Sequence, residues 1–225
     1  MFAVTDKRSI EPRRLTAVPP RPAAARGPIS NELRLSRGET LFFEGGEAEH
    51  FFELVRGTLR CCRISQDGRR QIHRFAAAGE LLGISGEQRY GYSAEAVTEI
   101  VVRRYRLDGL DARMADDAAF GRRVLQALRD ELAATRRQMM LLGRMSATER
   151  LATFLLTLSE RSAAAGGCLN LPMTRSDIAD YLGLTIETVS RKMNELHASG
   201  VIRLETATNV RITDLDRIEA IAKAA

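Results

Sequence analysis

The sequence predicts an α+β protein in three parts: an antiparallel β-roll, a long helix, and a winged helix-turn-helix. Three observations predict it. Short apolar runs separated by glycine turns fill residues 33 to 105. A 3-4-3-4 rhythm of mostly apolar positions runs from Leu125 to Ser146. Two capped helical patterns meet at Gly183 within the stretch Thr174 to Val201. The expected division is 1–29 as a disordered tail, 30–116 as the roll, 117–145 as a dimerisation helix and 146–225 as the DNA-binding domain.

The tail is rich in Pro, Ala and Arg, with the run Val18-Pro19-Pro20-Arg21-Pro22, and cannot build a core. In the roll, Thr40-Leu41-Phe42-Phe43 runs into Glu44-Gly45-Gly46, and Phe51 to Val55 runs into Arg56-Gly57. Thr58 to Ile64 reads as a strand, and Gln66-Asp67-Gly68 turns the chain into Gln71 to Phe75.

Ala118 to Ser146 reads as one helix. Leu125, Leu128, Leu132, Thr135, Met139, Leu142 and Ser146 take its a and d positions, the seam of a coiled coil. A homodimer built on this seam, with Leu125 through Leu142 as its interface, would relate two DNA-reading helices by a two-fold. They would then meet a palindrome at a spacing of roughly 34 Å. Thr148 to Ser159 continues as a helix into the last domain, and Ala163-Ala164-Ala165-Gly166-Gly167 is a loose connection.

Thr174 is a good N-cap with Asp177 three residues on, favouring a helix start. Ile178, Ala179 and Leu182 mark its apolar face, and Gly183 suits a left-handed helix end. Leu184 would plug the corner between the helices. Thr185 caps the second helix, with Val189, Met193 and Leu196 inward. The opposite face presents Glu187, Thr188, Ser190, Arg191 and Asn194. Glu187, Ser190 and Arg191 are candidate base readers with Thr188 beside them, since Glu accepts from cytosine N4–H and Arg pairs with guanine O6 and N7. Thr174, Arg175, Ser176, Lys192 and Arg203 are candidates for the DNA backbone. Val201 to Leu204 and Val210 to Ile212 alternate like two strands around Thr206-Ala207-Thr208-Asn209, which makes a plausible wing with Arg203 or Arg211 as candidates for phosphate.

The chain has 225 residues and a formal charge of +5, which permits but does not require a polyanionic partner. No apolar run approaches the roughly 18 residues of a membrane span, and the first residues lack a signal-peptide core, so a cytoplasmic protein with no membrane partner is expected. Three cysteines, Cys61, Cys62 and Cys168, include no C-x-x-C pair and imply neither a disulfide framework nor a metal site. Cys168, just before the DNA helices, is the candidate redox thiol. No nucleophile–base pair and no phosphate-binding G-x-x-x-x-G-K-[ST] loop is present, so an enzyme is not expected.

From residue 30 onward this order resembles the Crp/Fnr family of bacterial transcription regulators. The roll carries Arg37-Gly38-Glu39-Thr40-Leu41-Phe42, Gly45-Gly46-Glu47, Gly57-Thr58-Leu59-Arg60 and Gly79-Glu80-Leu81, similar to the glycine turns of that family's cyclic-nucleotide-binding-like domain. Glu187-Thr188-Val189-Ser190-Arg191 resembles the Fnr-type recognition helix. The resemblance implies double-stranded DNA with TTGA-N6-TCAA-type palindromes and RNA polymerase as partners, with Glu187, Ser190 and Arg191 on bases. Two departures narrow it. Fnr-type oxygen sensors hold an iron–sulfur cluster on N-terminal cysteines, and here none precedes Cys61. Cyclic-AMP receptors follow their Gly-Glu with an Arg and a small hydroxyl residue, and here Tyr92 stands before Ser93. Tyr92-Ser93-Ala94-Glu95-Ala96-Val97 looks most like the FixK branch. That implies an activator's role in low-oxygen and nitrogen-fixation control, without a cofactor. The alternative within the family is a ligand- or redox-gated regulator: a haem gas sensor using His50, His73 or His197, or a Cys168 thiol switch.

Overall fold

The computed structural model describes residues 32–84, 88–161 and 168–223. The tail expected over 1–29 and the connection Ala163 to Gly167 lie outside the described residues.

Eight strands build the roll: β1 (Glu32–Leu35), β2 (Thr40–Phe42), β3 (His50–Arg56), β4 (Thr58–Ile64), β5 (Arg70–Ala77), β6 (Leu81–Leu82), β7 (Ser93–Ala96) and β8 (Ile100–Arg106). They form two antiparallel four-stranded sheets, ordered β1-β8-β3-β6 and β2-β7-β4-β5. Alternate side chains of both sheets, among them Phe42, Phe52, Leu54, Leu59, Cys61, Leu82 and Val102, fill the space between them. Gly57 joins β3 to β4 at φ +93°, where a Cβ would collide with the Glu99 carbonyl oxygen, so only glycine fits. Cys61 and Cys62 are neighbours on β4 and face opposite sides, Cys61 the roll interior and Cys62 a second core; the register shift beside them leaves His73 of β5 as the extra residue.

A short helix α1 (Leu110–Asp116) leads to the long α2 (Ala118–Arg144). Asp117 caps α2, accepting from the N–H groups of Ala119 at 2.9 Å and Phe120 at 3.0 Å. Phe120, Val124, Gln138 and Leu141 are its buried positions, and they face the rest of the chain. The chain turns extended at Met145, so the helix ends two residues before the expected Ser146. Ser146 instead opens α3 (Ala147–Arg161), where its N–H donates to Glu149 Oε2 at 2.7 Å and its hydroxyl accepts from Glu149 N–H.

The remainder comprises β9 (Cys168–Asn170), α4 (Arg175–Leu182), α5 (Ile186–Ala198), β10 (Ile202–Leu204), β11 (Asn209–Ile212) and α6 (Leu215–Lys223). The two expected wing strands pair, and β9 joins them as a third strand in the order β10-β11-β9. One apolar cluster joins Cys62, Ile72 and Phe75 of the roll with Leu141 of α2 and with Leu155, Ile178, Met193 and Ile218. The helix pair is thus seated on the roll through a shared core. Among the described residues no helix is long and apolar enough to cross a membrane.

Candidate nucleic-acid interface

Local chemistry fixes the helix pair. Thr174 and Asp177 form a reciprocal capping box: the Thr174 hydroxyl accepts from Asp177 N–H at 3.1 Å, and Asp177 Oδ2 accepts from Thr174 N–H at 3.0 Å. Gly183 ends α4 in the left-handed region at φ +63°, where its N–H reaches the Ala179 carbonyl. Leu184 packs partly buried against the core at the corner. Thr185 caps α5 by accepting from Thr188 N–H at 3.2 Å. Val189, Met193 and Leu196 are buried, as their spacing predicts.

That burial leaves Glu187, Thr188, Ser190, Arg191 and Asn194 on the outer side of α5. Glu187 and Arg191 are exposed, and Thr188 and Ser190 are partly so. Hydrogen bonds from its own backbone N–H and from the Thr185 side chain hold the Glu187 carboxyl below the usual carboxylate range. It therefore stands ionised at the helix start, as an acceptor. Arg191 lies 3.8 Å from Glu195, a loose surface pair that leaves its guanidinium mostly in solvent. Lys192 donates to Glu195 at 2.6 Å, so its ammonium is partly engaged before any ligand arrives.

The backbone candidates differ among themselves. The Thr174 hydroxyl donates to Asp177 Oδ2 at 2.8 Å and serves the cap. Arg175 and Ser176 are half-buried at the start of α4, and burial lowers the Arg175 pKa. Arg203 sits opposite Arg211 across the wing, a like-charge pair that is unfavourable by itself. Glu205 offsets it by accepting from Arg211 at 2.6 Å, and an approaching phosphate would offset it further. Cys168 is half-buried on β9, with its thiol donating to Glu205 at 3.6 Å. Burial pushes the Cys61 thiol up to about 12 and the Cys62 thiol up to about 11.

The seam positions on α2 separate. Leu125, Leu128, Leu132 and Met139 are 46, 42, 52 and 69 % exposed, an apolar stripe that the chain itself does not cover. Thr135 lies on the same stripe with its hydroxyl donating to the Glu131 carbonyl at 2.9 Å. Leu142 is half-buried and packs into the chain's own core, where its Cδ2 approaches Gly183.

One group of residues was not foreseen as a unit. Asp177 is only 1 % exposed and accepts from two arginines of the roll. Arg60 of β4 reaches Oδ1 at 3.0 Å, and Arg70 of β5 reaches it at 2.7 Å. Arg60 also donates to Glu95 at 2.8 Å, Arg70 to Asp180 at 2.8 Å, and Gln71 to the Asp180 carbonyl at 2.7 Å. A second clasp joins Arg161 of α3 to Glu80, which also pairs with Arg74 at 3.0 Å. These partners lie up to 117 residues apart, so no local pattern announces them.

A capped, solvent-facing helix set between a glycine turn and a basic wing, carried on a β-roll, defines a winged helix-turn-helix DNA-binding protein. Comparison with known proteins agrees. Residues 149–221 match the Crp-like helix-turn-helix domain, and residues 32–117 match the cyclic nucleotide-binding domain. The chain is 37 % identical over 199 residues to the nitrogen fixation regulation protein FixK of Bradyrhizobium diazoefficiens, covering 87 % of this chain and 84 % of the relative. It is 35 % identical to the transcriptional activator protein FnrL of Cereibacter sphaeroides, covering 80 % and 76 %. The solved structure of FixK2 from Bradyrhizobium japonicum superposes with a TM-score of 0.81 at 35 % identity, covering 86 % of this chain and 98 % of that one. The chain belongs to the Crp/Fnr family of transcription regulators. It is a regulator with a helix-turn-helix DNA-binding domain, not an enzyme.

Among the described residues, the roll's side chains do not fit a cyclic phosphate. Glu80 is filled by Arg74, Arg161 and the Ala77 N–H. Tyr92, where an arginine would precede Ser93, turns its hydroxyl to accept from Gly83 N–H at 3.2 Å. Arg89 is directed to the Gly45 carbonyl at 2.6 Å. Among the described residues, the anion fork that a cyclic phosphate needs is therefore not assembled. The histidines stand apart as well. His50 lies near Glu49, His197 near the Ile202 carbonyl, and His73 edge-on to Tyr92. Among the described residues no group of three His, Cys, Asp or Glu side chains is placed to hold a metal.

Proposed function

We propose that the chain acts in the cytoplasm as a homodimer that reads TTGA-N6-TCAA-type palindromes and activates genes of low-oxygen respiration and nitrogen fixation through contact with RNA polymerase. The observation that carries this is the face of α5. There an ionised Glu187, the Ser190 hydroxyl and a solvent-facing Arg191 lie within the first turns of a helix whose other side is buried. Glu187 accepts from a cytosine amine, Arg191 takes guanine O6 and N7, and Ser190 with Thr188 meets a neighbouring base or phosphate. Arg175, Ser176, Lys192 and Arg203 hold the backbone, with Thr174 ordering the start of α4. The relatives named FixK and FnrL support the regulatory setting. The regulator needs neither a cyclic nucleotide nor an iron–sulfur cluster in this reading.

Arg191→Ala tests it. Fluorescence anisotropy at fixed salt should show a loss of about 1–3 kcal/mol on the palindrome, with discrimination relaxed at the guanine it contacts. Undiminished affinity for the TTGA site would remove α5 from the role given to it here.

A further inference from the structure

Two strands of the roll grip a single turn of α4. Asp177 and Asp180 stand three residues apart, so they share one face of that helix. Arg70 of β5 spans both: its Nε donates to Asp180 Oδ2 at 2.8 Å and its Nη2 to Asp177 Oδ1 at 2.7 Å. Arg60 of β4 spans Asp177 and Glu95 of β7, with Nη1 donating to the first at 3.0 Å and Nε to the second at 2.8 Å. Gln71 adds its bond to the Asp180 carbonyl. The Arg60 and Arg70 side chains are 18 and 24 % exposed, so dissolved salt screens this clasp less than it screens a surface pair.

Different elements hold the other end of α4. Gln138 of α2 donates to the Tyr181 carbonyl at 2.6 Å. Arg150 of α3 donates to the Leu182 carbonyl at 2.9 Å and to the Leu142 carbonyl of α2 at 3.0 Å. Helix α2 is itself tied to the roll, by Arg123 donating to Glu53 at 2.6 Å and by Phe120 packing on Phe51. The roll and α2 thus form one body, which carries the exposed seam, and α4 is fixed to that body at both ends. The apolar core between them resists separation but resists rotation weakly, because burial has no direction. A planar guanidinium does have direction, since its donors fit their acceptors in one orientation only. Only Gly183, Leu184 and the cap Thr185 separate α4 from α5, and the inward faces of both helices share one apolar cluster. Any tilt of α4 is therefore passed to α5.

We propose that Arg60 and Arg70 of the roll are positioning residues for DNA reading. By fixing the tilt of α4 they set the separation of the two α5 helices across the dimer, and hence the length of spacer accepted between half-sites. This rests on the reading of α5 and of the α2 seam given above, and it gives the roll a task that needs no ligand. One base pair more or fewer in the spacer moves the second half-site by about 3.4 Å along the duplex and turns it by about 34°. A clasped helix pair cannot follow that displacement, whereas a pair seated on the apolar core alone can. Base contacts within one half-site do not depend on the clasp.

Fluorescence anisotropy on the full chain at fixed salt tests this with a lone TTGA half-site and with TTGA-N5-TCAA, TTGA-N6-TCAA and TTGA-N7-TCAA duplexes. The unaltered chain should bind the N6 duplex at least about 30-fold tighter than the N5 or N7 duplex. Arg70→Ala leaves Arg60 on Asp177 and the cap of α4 in place. It should shrink the spacer preference to about threefold by weakening the N6 complex, while half-site affinity stays within about twofold. Asp180→Ala removes one prong of the fork without touching Asp177, and should shift the preference the same way even if Arg70→Ala does not fold. Arg69→Ala, which removes a neighbouring charge paired with Asp67, should leave the preference as it was. Equal binding of all three spacings by the unaltered chain overturns the proposal. So does an unchanged preference in the clasp variants, an equal loss on half-site and palindrome, or the same shift in Arg69→Ala. Failure of the unaltered chain to prefer the lone half-site over a scrambled duplex is a separate result: it removes α5 from base reading, and the spacing argument falls with it.

Discussion

Asp177→Ala should lower the unfolding free energy by about 3–4 kcal/mol in denaturant titration. Two losses add. The capping box of α4 disappears, at about 1 kcal/mol. Two guanidiniums lose their common buried acceptor, and removing one member of a buried pair costs about 3–5 kcal/mol. The lower end applies because Arg60 keeps Glu95 and Arg70 keeps Asp180. Asp177→Asn should lose less, since an amide oxygen can still accept in the cap while the charge is gone. A double-mutant cycle with Arg70→Ala should report a coupling well above the few tenths of a kcal/mol expected for independent sites. A loss below about 1 kcal/mol for Asp177→Ala would mean that the shared apolar core alone seats the helix pair on the roll.

Leu132→Asp should turn the dimer into a monomer in sedimentation and weaken palindrome binding by about 100-fold or more. Leu125, Leu128, Leu132 and Met139 form an exposed stripe on a helix whose other face is already buried in its own chain. A two-fold contact along this stripe, as proposed above, would cover it and would set two α5 helices to face one side of a duplex. A charge at Leu132 in the middle of that contact has no partner and must stay in water. The loss of avidity follows from geometry, because each monomer then binds its half-site alone. A stable Leu132→Asp dimer would place the interface elsewhere.

Much of this was readable in the chain. Caps and their glycine, Thr174, Gly183 and Thr185, act within three or four residues, so the order of letters carries them directly. The strands of the roll and the buried face of α5 follow from periods of two and of 3.6. The C-terminal α6 carries the same kind of signal: Asp214 precedes Leu215, Ile218, Ile221 and Ala222 at helical spacing, and its Oδ1 accepts from Arg217 N–H at 3.0 Å. Other features could not be read locally. Asp177 looks like an ordinary N3 acid until folding brings Arg60 and Arg70 to it. Gln138 looks like a surface glutamine, because the outward heptad draws the eye to the opposite face of α2. Leu142 satisfies the heptad by number, yet the bend at Met145 brings α4 against it and turns it inward.

The central claim is sequence-specific DNA reading without a cyclic nucleotide, and one titration addresses it most directly. Purified protein is added to a labelled TTGAT-N4-ATCAA duplex and to a scrambled duplex of the same composition, in air, with no ligand, at fixed salt. The account predicts binding to the palindrome at least about 1,000-fold tighter than to the scrambled duplex. Equal affinities for the two duplexes, falling together as salt rises, would contradict it.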